Sequence, residues 1–441
     1  MSTPFAIRSS LLHCRRDPGL AGERAAIEAI DDALTLIDGE RIAAVAPASA
    51  LLPTLGAEVT ILDRRGQWLL PGFVDAHVHY PQVDVIASYG AQLLDWLERY
   101  TFPAERAFAD LAHATAAAEF FVDRLLENGT TTAAVFCTVH PGSVDALFTA
   151  SEARGLGFIA GKCLMDRHAP PGLTDTPESG YRESKALIER WHGHARSRYA
   201  ITPRFAPTSS DAQMRAAAQL AREHPDVYIQ SHLAENRAEL AWVAELFPGH
   251  RSYLDVYEHY GLLRDRALYG HCIHLDDADR ARLSVTGARP VFCPSSNLFI
   301  GSGLYDLRQA LAAGNTVALG TDVGGGTSYS MLRTLGEAYK VQQLLGTSLT
   351  PAYALYLATL GGARALGLDD EIGSIAPGKF ADLALLDPQA TPLLARRSGQ
   401  REDPLDTFFA MMTLGDDRAI SETWVAGRSV HRRGRTGERL R

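Results

Sequence analysis

The chain has 441 residues, which is too long for one ordinary domain unless that domain is a large α/β barrel carrying a smaller one. Its formal net charge of −9 argues against nucleic acid as the main partner, because phosphate binding needs a basic face. The five cysteines form no Cys-x-x-Cys pair, and no segment approaches about 20 uninterrupted apolar residues. We therefore expect a cytoplasmic globular protein with no structural cysteine–zinc site, export signal or membrane partner.

The first part of the chain, residues 1–68, predicts short β-strands. Residues 33–45 place apolar runs around Asp38-Gly39, a pattern typical of a hairpin. Residues 59–62 predict another short strand. This part is expected to belong to a small β-domain.

Residues 69–376 predict repeated alternation of strands and helices. The predicted strands are 67–79, 130–139, 157–165, 199–205, 227–232, 267–271, 290–293 and 316–321, with helices such as 107–128, 212–223 and 236–247 between them. Eight strands alternating with helices are typical of a (β/α)8 TIM barrel. A doubly wound open sheet is the competing layout, but no Gly-x-Gly-x-x-Gly turn follows the first strand.

The last part, residues 377–441, again predicts short strands, at 380–386 and 423–430, with a turn at Gly427. Both chain ends are therefore expected to join in one small composite β-sandwich domain beside the barrel. The basic segment from Arg432 to the end is expected to be a frayed tail.

Candidate metal ligands lie where predicted barrel strands end, which is where barrel enzymes carry their active sites. His77 and His79 point the same way because strand residues two apart share a face. His232, His271 and Asp322 end three further strands. Imidazole nitrogens and a carboxylate oxygen suit a borderline metal such as zinc and leave a position for water.

Glu235 lies three residues after His232, just past a strand end. A carboxylate there can reach over the metal to a substrate and act as a general acid–base. The alternative is a helix-start carboxylate that faces the dipole of the helix beginning near Asn236.

Three stretches resemble the amidohydrolase superfamily: Pro71-Gly72-Phe73-Val74-Asp75-Ala76-His77-Val78-His79, Gly320-Thr321-Asp322, and residues 372–383. Within it, the sequence is similar to the guanine deaminase family. This second resemblance rests on Tyr80-Pro81-Gln82, on residues 92–103, which are the most distinctive, and on residues 161–166, 203–207, 231–237 and 293–303.

The resemblance implies hydrolytic deamination of guanine to xanthine and ammonia by a homodimer with one zinc ion per chain. The implied zinc ligands are His77, His79, His232 and Asp322. The implied catalytic residues are Glu235 and Asp322, which would move protons, and His271, which would contact the attacking water. The implied substrate-binding residues are Gln82 and Arg204 at the polar edge of the purine, Phe205 near its ring, and His232.

Arg204 offers a planar fork of donors that suits the O6 and N7 acceptors of guanine. Adenine carries an amino donor in place of O6, so this arginine gives a reason to prefer guanine. The alternative is that Arg204 is the structural partner of an ion pair.

Three other functions stay open on the sequence. A sibling amidohydrolase would act on another aminated heterocycle, such as 8-oxoguanine. A two-metal hydrolase would need a bridging lysine on strand four, but that strand ends at Arg204-Phe205, and Lys162 lies on strand three. A non-catalytic barrel scaffold would have no reason to keep every ligand and acid–base group.

Overall fold

The computed structural model describes residues 4–90, 92–399 and 403–434; the rest of the predicted tail, residues 435–441, lies outside the described residues. Its strands form a nearly closed barrel of parallel strands and a separate seven-stranded sheet. In chain order the strands are β1 Phe5–Cys14, β2 Ile27–Asp38, β3 Arg41–Pro47, β4 Thr60–Pro71, β5 Phe73–His79, β6 Thr130–Phe136, β7 Gly157–Gly161, β8 Cys163–Leu164, β9 Arg198–Pro203, β10 Tyr228–Leu233, β11 Ala267–His271, β12 Arg289–Phe292, β13 Ala318–Leu319, β14 Leu383–Leu386, β15 Ile420–Val425 and β16 Arg428–Arg432.

The seven-stranded sheet draws on both chain ends, in the order β16-β15-β14-β4-β1-β2-β3. The predicted hairpin is the antiparallel pair β2–β3, with Gly39 at φ +59° in its turn. The turn predicted at Gly427 within 423–430 lies between β15 and β16, which pair antiparallel. The predicted fold class, a (β/α)8 barrel with a small domain built from both ends, is confirmed.

The helices in the described residues are α1 Ala48–Leu51, α2 Leu93–Trp96, α3 Phe102–Arg106, α4 Leu111–Glu127, α5 Pro141–Arg154, α6 Pro177–Trp191, α7 Asp211–Glu223, α8 Arg237–Leu246, α9 Tyr253–His259, α10 Asp277–Thr286, α11 Pro294–Phe299, α12 Leu307–Ala312, α13 Met331–Leu344, α14 Pro351–Tyr356, α15 Gly362–Ala365, α16 Pro392–Ser398 and α17 Pro404–Leu414. The predicted helix at 107–128 begins later, because the Asp110 side chain accepts from the Ala112 N–H and caps α4 there. No helix in these residues is long and apolar enough to cross a membrane.

The predicted first barrel strand, residues 67–79, is wrong in one respect, since the structure divides it at Gly72 into β4 and β5. The Gly72 N–H donates to the Asp382 carbonyl at 2.8 Å, so the chain is still tied to the small sheet there. A Cβ at position 72 would lie 2.2 Å from Thr131 Oγ1, so only glycine fits this crossing. We propose two domains, residues 69–376 and the combined segments 1–68 and 377–441, although the end of β4, through Pro71, still pairs with β14 of the small sheet.

The barrel closes between its first and last strands. The Asp322 N–H donates to the His77 carbonyl and the His79 N–H donates to the Val323 carbonyl, each at 2.8 Å. These two bonds continue the ladder just past the end of β13, so Asp322 and the His77–His79 pair face each other across one seam.

Candidate active site

The structure places the predicted metal ligands together at the carboxyl ends of the barrel strands. His79 Nε2 lies 3.1 Å from His232 Nε2, and the Nε2 atoms of His77 and His79 each lie 3.4 Å from Asp322 Oδ1. His271 Nε2 lies 3.7 Å from Asp322 Oδ2. The strand period that aligns residues two apart thus brings the first two imidazoles to one point.

This donor set fits a metal ion. Two groups, His77–His79–His232 and His77–His271–Asp322, each bring their ligand atoms within 4.8 Å of one another. His77 Nε2 is buried without a hydrogen-bond partner among the described residues, and a buried polar atom in that state normally has a ligand. Imidazole nitrogens with a carboxylate oxygen are the ligands that zinc takes in catalytic sites.

Two neighbouring groups orient the imidazoles. His232 Nδ1 lies 2.7 Å from the Arg204 carbonyl oxygen, and His271 Nδ1 lies 2.9 Å from Asn297 Oδ1. When each Nδ1–H donates to its oxygen, the Nε2 lone pair is left facing the centre of the site.

The electrostatics of the cluster also suit metal ligands. Burial lowers the pKa of His77, lowers that of His79 to about 3, and lowers that of His232 well below its ordinary value. These three imidazoles are therefore neutral at pH 7, as metal binding requires. For Asp322, burial acts to raise the pKa, but its close contacts with His77 and His79 outweigh burial and hold the pKa well below its ordinary value.

The backbone is strained at two of these positions. His271 has φ +70° and Asp322 has φ +52°, in the left-handed region that residues other than glycine seldom adopt. Such strain is found where surrounding structure enforces it, and it clusters at functional sites. Here the seam bonds of Asp322 and the neighbouring strands supply that constraint.

Glu235 points into the site and does not cap the following helix. Its Oε1 accepts a hydrogen bond from Ser302 Oγ at 2.9 Å, and its Oε2 lies 3.3 Å from His271 Nε2. The cap of α8 is instead Asn236, and Glu239 completes the capping box by accepting from the Asn236 N–H. The helix-start interpretation of Glu235 is therefore wrong.

Burial, and then the nearby charge of Asp322, raise the pKa of Glu235 to about 8. The pKa values of the two carboxyl groups therefore differ widely, and near neutral pH Glu235 is protonated whereas Asp322 is ionised. Such a separated pair is typical of acid–base chemistry.

One cavity adjoins the cluster. The predicted site residues that line it are His79, Gln82, Arg204, Phe205, His232, Glu235, His271 and Asp322, and His77 lies buried beside it. Leu93, Trp96 and Leu97, from the distinctive stretch at 92–103, form an apolar wall. The sequence therefore predicted a set of residues that the fold brings to one cavity.

Arg204 lines this cavity and is also a partner in a buried ion pair. Its Nη1 donates to both carboxylate oxygens of Glu105, at 2.7 and 2.8 Å. Glu105 also accepts from Gln82 Nε2 at 3.1 Å, and all three side chains are buried. The two interpretations of Arg204 are thus compatible in the structure.

Sequence reasoning missed four residues that support the site: Asp75, Glu105, Asn297 and Ser302. Asp75 accepts from the backbone N–H groups of His77 and Thr321, at 3.3 and 3.0 Å, and so braces both sides of the seam. A signal was available, because Asp75, Asn297 and Ser302 lie inside stretches that carried the family resemblance.

Lys162 does not reach the metal cluster. Its buried ammonium pairs with Asp175, and Glu183 Oε2 lies 3.6 Å away. This arrangement ties the third barrel strand, at the step from β7 to β8, to the loop that follows it, in agreement with a structural role.

The chain is similar to known proteins in both sequence and fold. The model of the amidohydrolase family matches residues 68–430. Guanine deaminase from Escherichia coli (strain K12) is 49% identical over 97% of this chain and 98% of its own length. The solved structure of E. coli guanine deaminase has a TM-score of 0.96 at 48% identity and covers 97% of this chain and 100% of that chain. The crystal structure of guanine deaminase from C. acetobutylicum with bound guanine in the active site has a TM-score of 0.87 at 26% identity, covering 97% and 100%.

The chain therefore belongs to the amidohydrolase family, and within it to the guanine deaminases.

Proposed function

We propose that the protein is a zinc-dependent hydrolase that deaminates guanine to xanthine and ammonia. The observation that carries the proposal is one cavity that joins a histidine–aspartate cluster, the buried Glu235, whose pKa burial raises, and a donor-bearing wall of Gln82 and Arg204. The similarity to guanine deaminases over nearly the whole chain supports the same substrate.

His77, His79, His232 and Asp322 would hold the metal ion. A bound zinc ion would act as a Lewis acid that lowers the pKa of water to about 7, so that water can attack at neutral pH. His271, whose orientation Asn297 sets, would hold the attacking water in line with the ring carbon.

The two carboxyl groups divide the proton transfers. Asp322, which is ionised, would accept the proton that water releases as its oxygen bonds to C2 of guanine. Glu235, which is protonated, would donate to the adjacent ring nitrogen, so that negative charge does not build up on the ring. Asp322 would then return its proton to the departing amino group as the C2–N bond breaks. The hydroxyl proton left on C2 would pass back to Glu235 as the C2 carbonyl forms, so that the products are xanthine and ammonia and both carboxyl groups regain their starting states.

The wall opposite this pair would select the substrate. Arg204 donates to Glu105 through Nη1, and its other guanidinium N–H groups remain for acceptors such as O6 and N7. Adenine has an amino donor at C6, so its binding would bring two donors together in a buried site. Phe205, which is buried beside this wall, would pack near the purine ring.

Incubation of purified protein with guanine tests the function, with xanthine and ammonia measured as products and metal content measured on the same sample. We expect both products in equal amounts, zinc near one ion per chain, and little reaction with adenine. A zinc-loaded sample that yields no xanthine would refute the guanine assignment.

Assembly and location are separate proposals. The family resemblance supports a homodimer in the cytoplasm that acts on a small molecule and binds neither nucleic acid nor membrane. Light scattering coupled to size-exclusion chromatography tests the dimer, because a monomer of 47.8 kDa is easily told from twice that mass.

A further inference from the structure

Residues 92–103 form the apolar wall of the cavity and also belong to the helical segment that carries Glu105. α2, a π-helical turn at Leu97–Thr101 and α3 form one continuous helical segment. Pro103 has no N–H to donate back along this helix, and its ring crowds the preceding turn, which a widened π turn relieves.

The π turn decides which residues share the buried face. Leu93, Leu97, Thr101 and Glu105 are spaced by four, and all are buried. In a regular α-helix each step of four rotates the side chain by about 40°, or about 120° from the first to the last. A π turn winds less per residue, so Glu105 stays on the side where Leu93 and Leu97 line the cavity.

From that position Glu105 contacts the two polar residues of the substrate wall but does not itself line the cavity. Its side chain is fully buried, and among the described residues its carboxylate is the only side-chain hydrogen-bond partner of the Arg204 guanidinium. The Phe102 ring lies 5.8 Å from the guanidinium carbon, so the arginine is confined on two sides.

Glu105 also fixes the orientation of the Gln82 amide. Gln82 Oε1 accepts from the Gly324 N–H at 3.1 Å, while Gln82 Nε2 donates to Glu105 Oε1 at 3.1 Å. Rotating the amide by 180° would set donor against donor at Gly324 and acceptor against acceptor at Glu105. Only one orientation satisfies both contacts, and it leaves one N–H and one lone pair of Gln82 for a ligand.

We propose that Glu105 is a specificity-determining positioning residue, which holds Arg204 and Gln82 in the one arrangement that matches an oxygen-bearing purine edge. This inference rests on the proposed function. Its substrate class is an aminated purine with an oxygen at C6. Loss of Glu105 would leave a buried arginine without its counter-charge and an amide free to rotate, so recognition of that oxygen would suffer most.

The test compares two substrates in Glu105→Gln. Guanine carries the C6 oxygen, whereas 2-aminopurine has the same reacting amino group and no oxygen there. We expect kcat/KM for guanine to fall about 10- to 100-fold, the worth of one charge-assisted hydrogen bond, mainly through KM. We expect the value for 2-aminopurine, or its inhibition constant if turnover is slow, to change less than about threefold, since this substrate never makes the O6 contact and offers Arg204 only N7.

Two further variants keep the result interpretable. Glu98→Gln alters an exposed glutamate on the same helical segment and should match the parent protein. Glu105→Asp keeps the buried charge but is one methylene shorter, so it should fold and lose guanine selectivity to an intermediate degree. Metal content near one ion per chain shows that each variant has folded.

The outcomes separate the two proposals. If the parent protein forms no xanthine, the proposed function fails whatever Glu105 does. If the parent deaminates guanine but both substrates fall by the same factor in Glu105→Gln and Glu105→Asp, Glu105 is merely structural and this inference is overturned. Unchanged guanine kinetics in both variants would also overturn it.

Discussion

Replacing Glu235 with glutamine tests whether Glu235 and Asp322 carry out different proton transfers. Glutamine keeps the size of the side chain and can still accept the hydrogen bond that Ser302 donates to Glu235 at 2.9 Å. It cannot give up a proton at the ring nitrogen. A positioned general acid–base contributes about 10²–10⁴ in rate, which corresponds to about 2.7–5.5 kcal/mol of barrier.

The same substitution should spare the fold and the metal. Glu235 is 3% exposed, and burial with the neighbouring Asp322 charge raises its pKa, so a neutral amide is no harder to bury than the carboxyl group. It belongs to neither of the two candidate ligand groups. We therefore expect Glu235→Gln to have full metal content and an unchanged melting temperature.

The assay is steady-state turnover of guanine by metal-loaded protein, with zinc measured on the same samples. Glu245→Gln is a matched control, because Glu245 is exposed on α8, the helix that follows Glu235. Turnover of Glu235→Gln within a few-fold of the parent protein would refute the acid–base role. Loss of its metal would show instead that Glu235 is a ligand.

Three more substitutions follow from the contacts. His77→Ala should lose tightly held zinc in elemental analysis, and full zinc content would show that the site is misplaced. Gly270→Ala should weaken metal binding with every ligand still present, because the added Cβ would lie 2.5 Å from His77 Cε1; unchanged affinity would mean that the ring can move aside. Arg204→Met should destabilise the protein by about 3–5 kcal/mol, since it leaves Glu105 buried and unpaired. The double variant with Glu105→Gln should recover much of that loss in thermal unfolding, and equal stability of single and double variants would contradict this reasoning.

The barrel could be predicted because its signal is local. Each strand is a short apolar run, helical patterns alternate with the strands along the chain, and strand ends are where barrel sites form. The His77–His79 pair, His232, His271 and Asp322 each stood at such an end, so their convergence followed from the fold class. The break at Gly72 was missed because the apolar run continues through it.

The hydrogen-bond partners of the supporting residues could not be predicted, because each pair is far apart along the chain. Glu105 meets Arg204 across 99 residues and Ser302 meets Glu235 across 67. Neither pairing follows from strand ends: Glu105 is on a helical segment inserted after the first barrel strand, and Ser302 follows a short helix after the seventh. The hydrophobic pattern does not indicate which acidic side chain of an inserted segment will be buried next to the site.

The seam between β5 and the segment after β13 can form only late in folding, because it joins the two ends of the barrel. Asp75 and Thr321, which are bonded across it, are separated by 246 residues. Closing so long a loop is slow compared with forming the local strand–helix units. A nascent chain that ends before residue 322 already holds all four histidines of the cluster but lacks the carboxylate that completes the set. A bound ion would then link the first barrel strand to the last. Metal binding would therefore indicate that the barrel has closed, and it would stabilise only the closed, folded state.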